Sequence, residues 1–298
     1  MKKRVNGAIL IFVISIAVQS LNAKGQEIKC KKYNIEECLE AGVALEDKQD
    51  FKGAENIYYS LCIDLESSKG CSYLGYLYDK KLQNYQSAVS YYKMACKGEY
   101  GAACNNLGLC YLNAKGVSRD TIKGIKLLKK GCDLDNADAC SNLGYRYRER
   151  MAVERDYSLA KKYLEKASML GSKRAPVYLG WMYKKGLGVS INGKKAISLY
   201  NTPCHNGDYD ACAGIADIYY YGIGNIKKDS SRAMSFYRKS ANGGNANAQT
   251  MVGTMYDAGI SVNIDIDKAI YWYRKGARNG NNNASILLKK ALEKKAKY

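Results

Sequence analysis

The sequence predicts an all-α, right-handed solenoid of two-helix repeats. Three observations predict it: residues that recur at a fixed period, apolar residues at helical spacing, and a composition with only two prolines. One recurring column holds a small residue within a helical segment, first 33 and later about 36 residues apart, the range of two-helix repeats. This glycine column contains Gly42, Gly75, Gly108, Gly144, Gly180, Ala216 and Gly253.

Three further columns keep a constant phase with the glycine column. Four residues before it stand Cys38, Cys71, Cys104, Cys140, Pro176, Cys212 and Gln249. Eight or nine residues before those stand Cys30, Cys62, Cys96, Cys132, Ser168, Cys204 and Ala241. A small-residue column consists of Ala54, Ala88, Gly124, Ala160, Ala196, Ala233 and Ala269. Glycine inside a helix is unfavourable, so its recurrence predicts a close approach between the two helices of each repeat at the small-residue column.

The clearest repeat illustrates the local pattern. It predicts a first helix from about Ala103 to Asn113 and a second from about Thr121 to Asp133. Asp120 stands where a helix N-cap is expected, and Gly116 interrupts the period between the two helices. The Gly-rich connections of the later repeats are interpreted as turns between helices, because none of them follows a predicted strand.

The chain is expected to have four segments. Lys2, Lys3 and Arg4 precede an apolar run over residues 8–18. This pattern predicts a cleavable signal peptide over residues 1–23, because the run is too short to cross a bilayer. An N-terminal cap at 24–37, about seven repeats at 38–283 and a capping helix at 284–298 follow. We therefore expect a secreted or periplasmic protein that does not span a membrane.

Export gives the eleven cysteines a structural interpretation. Outside the cytoplasm they favour disulfides, and the constant spacing pairs the two cysteine columns within each segment. The predicted bridges are Cys30 with Cys38, Cys62 with Cys71, Cys96 with Cys104, Cys132 with Cys140, and Cys204 with Cys212. Cys110 remains as a free thiol, either semi-buried or paired between molecules. The single histidine, His205, argues against a zinc site, and we expect no metal or cofactor.

The repeat carries a family resemblance. Its best-preserved copy reads Leu179-Gly180-Trp181-Met182-Tyr183, followed by Gly186-Leu187-Gly188-Val189, Lys195-Ala196 and Tyr200. This pattern resembles Sel1-like repeats, which are relatives of tetratricopeptide repeats. With paired cysteines and a signal peptide, the chain resembles the Helicobacter cysteine-rich protein family. The resemblance implies a protein that binds β-lactams and hydrolyses them weakly, and thus a role in antibiotic resistance as a β-lactamase.

A serine β-lactamase needs a nucleophile with a nearby base, and the sequence offers only part of such a set. Ser90 and Lys93, like Ser158 and Lys161, match the Ser-x-x-Lys pattern, and residues 261–263 match Ser-x-Asn. Lys-Thr-Gly does not occur. We therefore expect both serines to be helix-surface residues and His205 to be an exposed loop residue, and we assign no catalytic residue.

The alternative function is a non-catalytic scaffold. A stack of helical hairpins exposes a concave surface of first helices, which suits a peptide, a protein or a cell-wall fragment. The tyrosines expected on this surface, some of them as packing residues instead, are Tyr78, Tyr111, Tyr147, Tyr183, Tyr219, Tyr220 and Tyr256. The formal net charge of +19 favours acidic partners. No nucleic-acid motif is present, so nucleic acid is not an expected partner.

Overall fold

The computed structural model describes residues 20–21, 27–28, 30–32, 34–151 and 153–297. The predicted signal peptide therefore lies outside the described residues, except for Ser20 and Leu21. These two form strand β1 (Ser20–Leu21), which pairs antiparallel with β2 (Glu27–Ile28). The other regular elements of the described part are helices, which confirms the predicted all-α class.

The helices alternate between first and second members of successive hairpins. The first helices are α1 (Ile35–Asp47), α3 (Ser68–Lys80), α5 (Gly101–Asn113), α7 (Ala137–Glu149), α9 (Ala175–Lys185), α11 (Tyr209–Tyr221) and α13 (Ala246–Ala258). The second helices are α2 (Phe51–Tyr59), α4 (Tyr85–Lys97), α6 (Thr121–Asp133), α8 (Tyr157–Met169), α10 (Gly193–His205), α12 (Ser230–Asn242) and α14 (Ile266–Arg278), and α15 (Asn282–Lys295) follows them. A short π-helical turn, Ser60–Asp64, extends α2.

The chain divides into two compact units, one up to Gly124 and the other from Ile125 onward. Within each unit, a helix packs chiefly on its hairpin partner and on the next helix along the chain. This nearest-neighbour packing is what makes a repeat protein quasi-one-dimensional. We refer to these parts below as unit 1 and unit 2.

Short polar side chains start most of the helices. Asp120 accepts a hydrogen bond from the backbone N–H of Lys123 at 2.9 Å, as the predicted N-cap should. Asp156 and Asn192 cap α8 and α10 in the same way. Each such cap satisfies a backbone donor that the helix leaves unpaired, and its removal typically costs about 1 kcal/mol. The caps therefore fix where each helix of a hairpin begins.

The glycine column lies against the second helix of the same hairpin. A Cβ on Gly144 would stand 3.1 Å from the carbonyl oxygen of Ala160, and one on Gly253 would stand 3.2 Å from that of Ala269. The predicted approach at the small-residue column is thus confirmed at these hairpins. Large side chains of the second helix also fill the space beside these glycines: a Cβ on Gly180 would lie 2.8 Å from the Tyr200 ring.

Tyr200 also connects consecutive hairpins. Its ring lies between Gly180 of α9 and Gly214 of α11, and a Cβ at either glycine would stand 2.8 Å from a ring carbon. The side chain is 2% exposed, so these contacts are buried. Glycine is therefore required on both sides of the ring. The close packing at the glycine column thus extends from one hairpin to the next.

Five disulfide bonds each close a short stretch within a single segment of the chain. They join Cys30 to Cys38, Cys62 to Cys71, Cys96 to Cys104, Cys132 to Cys140, and Cys204 to Cys212. The last four each connect the end of a second helix to the first turn of the next first helix. The Cα atoms of Cys132 and Cys140 are 4.6 Å apart, within the range that a disulfide spans without backbone movement.

Two junctions without cysteines use hydrogen bonds instead. At the α12–α13 junction, the side-chain amide of the buried Gln249 donates to the carbonyl oxygen of Ala241 at 3.0 Å. At the α8–α9 junction, the Ser172 hydroxyl accepts from the backbone N–H of Ala175 at 3.3 Å. The bond between Gln249 and Ala241 joins the two positions that cysteines take elsewhere, whereas the Ser172 bond lies between those positions at the start of α9. Neither bond links the chain covalently.

Candidate ligand-binding groove on the first helices

The two serines of the Ser-x-x-Lys pattern lie on exposed faces of second helices. Ser90 donates its hydroxyl hydrogen to the backbone oxygen of Gln86, one turn earlier in α4. Ser158 lies in the first turn of α8 and is also exposed. Lys161 forms an ion pair with Glu165 at 3.7 Å. Neither serine lines a cavity with its lysine in the described structure, and we derive no nucleophile from them.

His205 and Cys110 have contrasting environments. His205 ends α10 and lies exposed beside a shallow depression that it shares with Phe236 and Lys239. Cys110 belongs to α5, forms no disulfide and is 4% exposed. Burial raises the pKa of its thiol to about 11, and the negative charge of Asp79 adds to the effect. A thiol in this environment stays protonated near neutral pH and reacts slowly.

The tyrosines predicted for the concave surface mostly face the second helix of their own hairpin. Tyr78 stacks on Tyr91 with ring centroids 5.5 Å apart. The equivalent pairs in unit 2 are Tyr147 with Tyr163, at 5.8 Å, and Tyr219 with Phe236, at 6.2 Å. These tyrosines lie three positions after the glycine column, and this position faces the inside of the hairpin. The packing interpretation therefore applies to them, whereas Tyr220 lies four positions after the column.

A different set of positions lines the open groove. The residues two before, one after and four after the glycine column are three apart, so they share one face of each first helix. In unit 2 this face bears Tyr178, Trp181, Lys184, Asp217 and Met251, together with Arg148 from α7. They surround a cavity of about 400 Å³ that opens to solvent, and we call it the unit 2 groove.

An arginine enclosed by aromatic rings forms one end of the unit 2 groove. The guanidinium carbon of Arg148 lies 5.0, 4.7 and 4.6 Å from the ring centroids of Tyr145, Tyr178 and Trp181. Its Nε forms an ion pair with Glu149 at 2.7 Å, and the side chain is only 10% exposed. A delocalised cation between aromatic faces is a stable arrangement, because each ring presents its negative face to the charge. We call these four side chains the arginine cage.

A charged network lies beside the cage. Lys184 donates to one carboxylate oxygen of Asp217 at 2.7 Å, and the Tyr237 hydroxyl donates to the other, also at 2.7 Å. Lys184 is 10% exposed and Asp217 is 33% exposed. Burial raises the pKa of the Tyr237 hydroxyl well above its ordinary value, and the charge of Asp217 and the hydrogen bond to it act in the same direction. Tyr237 therefore remains a hydrogen-bond donor throughout the physiological range.

Amide side chains from later hairpins complete the groove. Asn245 caps α13 through its Oδ1 and donates its Nδ2 to Asp210 at 2.6 Å. Asn247 accepts from Asn281 at 2.7 Å. An amide offers both donors and acceptors, which match the alternating polar groups of an extended peptide backbone. The groove thus combines two cations, the carboxylates of Asp210 and Asp217, aromatic walls and amides.

The described residues contain no cluster of three or more His, Cys, Asp or Glu side chains that could hold a metal ion. Likewise, none of the described helices combines the length and apolar character needed to cross a bilayer. Five disulfides are typical of proteins in an oxidising compartment, which indicates an extracytoplasmic protein.

Comparisons with solved structures find similar repeat proteins. One match is a protective antigen with an SLR fold from uropathogenic Escherichia coli, with a TM-score of 0.72 and 28% identity. It covers 85% of this chain, while the chain spans 56% of that protein. A Sel1 repeat protein from Oxalobacter formigenes has a TM-score of 0.63 and 32% identity, with 70% of this chain and 84% of that one covered. Helicobacter pylori cysteine rich protein B is 33% identical over 43% of this chain and 93% of its own, with a TM-score of 0.36.

Comparison with curated protein sequences finds no match. Among protein families, the Sel1 repeat matches six segments, residues 68–100, 101–136, 137–172, 177–207, 210–245 and 246–281. Each begins within a few residues of the start of a first helix, so sequence family and hairpin architecture agree. Since these segments make up more than half of the chain, the protein belongs to the Sel1 repeat family.

Proposed function

We propose that the protein is an exported, non-catalytic scaffold whose unit 2 groove binds an extended, acidic segment of a partner peptide or protein. The observation that carries this proposal is the joint lining of one open cavity by Arg148, Lys184 and the aromatic rings of Tyr178 and Trp181. Repeat proteins commonly use the exposed face of stacked helices for extended ligands, which supports the choice of ligand class.

The two cations have donors to offer an acidic ligand. A guanidinium carries five N–H donors, and the Nε of Arg148 lies 2.7 Å from a Glu149 carboxylate oxygen without donating a hydrogen bond to it. The ammonium of Lys184 has three donors, one of which is directed to Asp217. Because both side chains are largely withdrawn from water and held by neighbours, a carboxylate reaching them would meet pre-organised donors.

The aromatic and amide side chains favour a peptide over an isolated small anion. Trp181 and Tyr178 supply flat apolar area, whereas Asn245 and Asn247 lie farther along the same groove. The side chains of an extended peptide could pack on the two aromatic rings, and its backbone amides could form hydrogen bonds with the two asparagines. The formal charge of +19, which becomes +16 when Lys2, Lys3 and Arg4 leave with the signal peptide, also supports an acidic partner, because it raises the association rate of an oppositely charged molecule.

Export is part of the proposal. The predicted signal peptide and the disulfide-rich repeats suit a secreted or periplasmic protein, where host proteins and envelope components are possible partners. Hydrolysis of β-lactams, which the resemblance to the Helicobacter cysteine-rich family implies, has less support. The candidate serines lie on exposed second helices, apart from the groove described above.

Peptide selection tests the proposed groove. We expect peptides selected from a random display library on the purified mature protein to be rich in Asp and Glu. Arg148→Met should weaken their binding by at least about tenfold, because a charge-assisted hydrogen bond is lost. Trp181→Ala should have a similar effect through lost stacking. The dissociation constants are measured by fluorescence anisotropy with the same labelled peptide.

A matched control removes the same charge elsewhere in unit 2. Lys162 lies exposed on α8, so Lys162→Met should leave peptide binding within about twofold of the wild type. Selection of neutral or basic peptides, or equal losses for both Met variants, would count against the groove. In a parallel assay, turnover of a chromogenic cephalosporin that disappears in Ser90→Ala or Ser158→Ala would contradict the non-catalytic proposal.

A further inference from the structure

Unit 1 has its own cavity on the first-helix face, and its chemistry differs from that of the unit 2 groove. The cavity measures about 460 Å³ and receives side chains from α1, α3 and the start of α5. Its walls include Tyr73, Tyr76 and Tyr100, and its charged groups are Glu46, Asp47 and Lys81. The Tyr76 side chain is 44% exposed, which is unusual for an aromatic residue on an element that packs on both sides.

Repeat register relates this cavity to the arginine cage of unit 2. Glu46 lies four positions after Gly42, as Arg148 lies four positions after Gly144. In the following hairpins, Tyr73 corresponds to Tyr178 and Tyr76 corresponds to Trp181, two before and one after the column. The same aromatic positions therefore border a carboxylate in unit 1 and a guanidinium in unit 2.

The carboxylates of the unit 1 cavity keep the capacity to accept hydrogen bonds. The Tyr58 hydroxyl donates to Oε1 of Glu46 at 2.8 Å, and it also holds this side chain in place. A carboxylate offers about four acceptor positions, so this bond leaves room for a ligand. The buried Ser72 hydroxyl lines the same cavity, and its residue is 5% exposed.

Two lysines lie near the unit 1 cavity and could neutralise its carboxylates. Lys69 forms an ion pair with Glu36 on the neighbouring helix, and it does not line the cavity. Lys81 is exposed and belongs to the cavity lining. Its ammonium lies 5.9 Å from the ring centroid of Phe51, a residue that does not line the cavity. The cavity lining thus carries two acidic groups and one basic group.

The geometry points to a binding site for a guanidinium group, supplied by an arginine side chain of a partner peptide or protein. In unit 2 the chain provides this cation itself, through Arg148. In unit 1 the equivalent position is Glu46, and the one basic group of the lining is the exposed Lys81, so no guanidinium lies among these tyrosines and carboxylates. This inference depends on unit 1 alone and is independent of the acidic ligand proposed for unit 2.

A guanidinium fits the cavity better than an ammonium. It is planar and weakly hydrated, so it stacks on tyrosine faces, and its fork of donors matches a carboxylate in two parallel hydrogen bonds. The cage around Arg148 shows that this repeat tolerates such stacking, with ring centroids at 4.6 to 5.0 Å from the guanidinium carbon. An ammonium would form point contacts and would lose more hydration on entering.

The test compares three blocked tripeptides that differ only in the central side chain. Acetyl-Gly-Arg-Gly-amide is expected to bind the mature protein, as measured by isothermal titration calorimetry and by NMR shifts of the peptide. The citrulline peptide has nearly the same shape without the charge, and we expect it to bind at least about tenfold more weakly. The lysine peptide should also bind more weakly than the arginine peptide.

Two substitutions at one position locate the site. Glu46→Gln keeps an acceptor for Tyr58 but removes the charge, and it should weaken arginine-peptide binding by at least about tenfold. Glu46→Arg would place a cation among the tyrosines as in unit 2, and it should abolish binding without unfolding the protein, as checked by circular dichroism. Arg148→Met, in unit 2, should leave the affinity unchanged.

Three results would overturn the inference: equal affinity of the arginine and citrulline peptides, equal affinity of the arginine and lysine peptides, or full binding by Glu46→Gln. Loss of binding in Arg148→Met would also overturn it, because the peptide would then occupy unit 2. Failure of the acidic-peptide selection in unit 2 would leave the inference standing, since that result concerns a different cavity and the opposite ligand charge.

Discussion

Replacing both Cys132 and Cys140 with alanine is expected to lower the free energy of unfolding of the segment that contains them by about 2.6 kcal/mol, because an unfolded loop of about nine residues is no longer closed. The bridge joins the end of α6 to the first turn of α7 at a sequence separation of 8. Urea denaturation followed by circular dichroism measures the loss as a lower transition midpoint.

The cysteine-free junction provides the reciprocal experiment. Ser168 and Pro176 occupy the two cysteine columns between α8 and α9. Ser168→Cys with Pro176→Cys should form a sixth bridge and raise the midpoint, and reduction should reverse the gain. An unchanged midpoint after removal of Cys132 and Cys140 would mean that the bridge does not constrain the unfolded chain.

Gly180→Ala is expected to destabilise unit 2 by about 1 to 3 kcal/mol, although alanine is the better helix former. The added Cβ would lie 2.8 Å from a ring carbon of Tyr200, and that ring cannot move away because Gly214 lies against its other edge. Calorimetry should therefore record a lower melting temperature, whereas helix propensity alone predicts a higher one.

Two companion variants separate crowding from other causes. Tyr200→Ala removes the ring that the new Cβ would meet, so Gly180→Ala should be less harmful in that background. Ala216 occupies the glycine column in the next hairpin, so Ala216→Gly should also destabilise the protein, by about 1 kcal/mol through propensity. Independent, additive effects of the Gly180 and Tyr200 substitutions would contradict the crowding explanation.

Most of the fold was predictable because it depends on local chemistry. Helix starts follow from short polar caps such as Asp120, and the hairpin seam follows from small residues such as Gly144 and Ala160. The predicted second helix of the clearest repeat, about Thr121 to Asp133, has the observed bounds, and the first begins at Gly101 instead of Ala103. Each feature involves residues within one hairpin, so one period of sequence contains the necessary information.

The binding surface was harder to predict, because it depends on a single helical position. Tyr147 and Arg148 are adjacent in sequence, yet a rotation of about 100° per residue directs one to the hairpin interior and the other to the groove. The recurrence of tyrosine three positions after the glycine column reflects packing against the second helix, as in the stack of Tyr147 on Tyr163. Recurrence alone therefore could not separate packing tyrosines from tyrosines that face a ligand.

A usable signal was variation at the neighbouring positions. The residues one after the glycine column include Leu109, Trp181 and Asp217, which share neither charge nor shape. A position that is free of a common packing constraint can differ from repeat to repeat, and that freedom is typical of a surface that faces a ligand. The same comparison distinguishes Glu46 from Arg148 and thus the two ligand preferences proposed above.

The most direct test of the architecture is a non-reducing peptide map of the mature protein, with free thiols alkylated before and after unfolding. The account predicts five bridges, each between cysteines eight or nine residues apart, and alkylation of the buried Cys110 only after unfolding. Reduced cysteine pairs, or bridges between distant hairpins, would contradict it. They would also remove the repeat register that places Arg148 and Trp181 in one groove and Glu46 and Tyr76 in the other cavity.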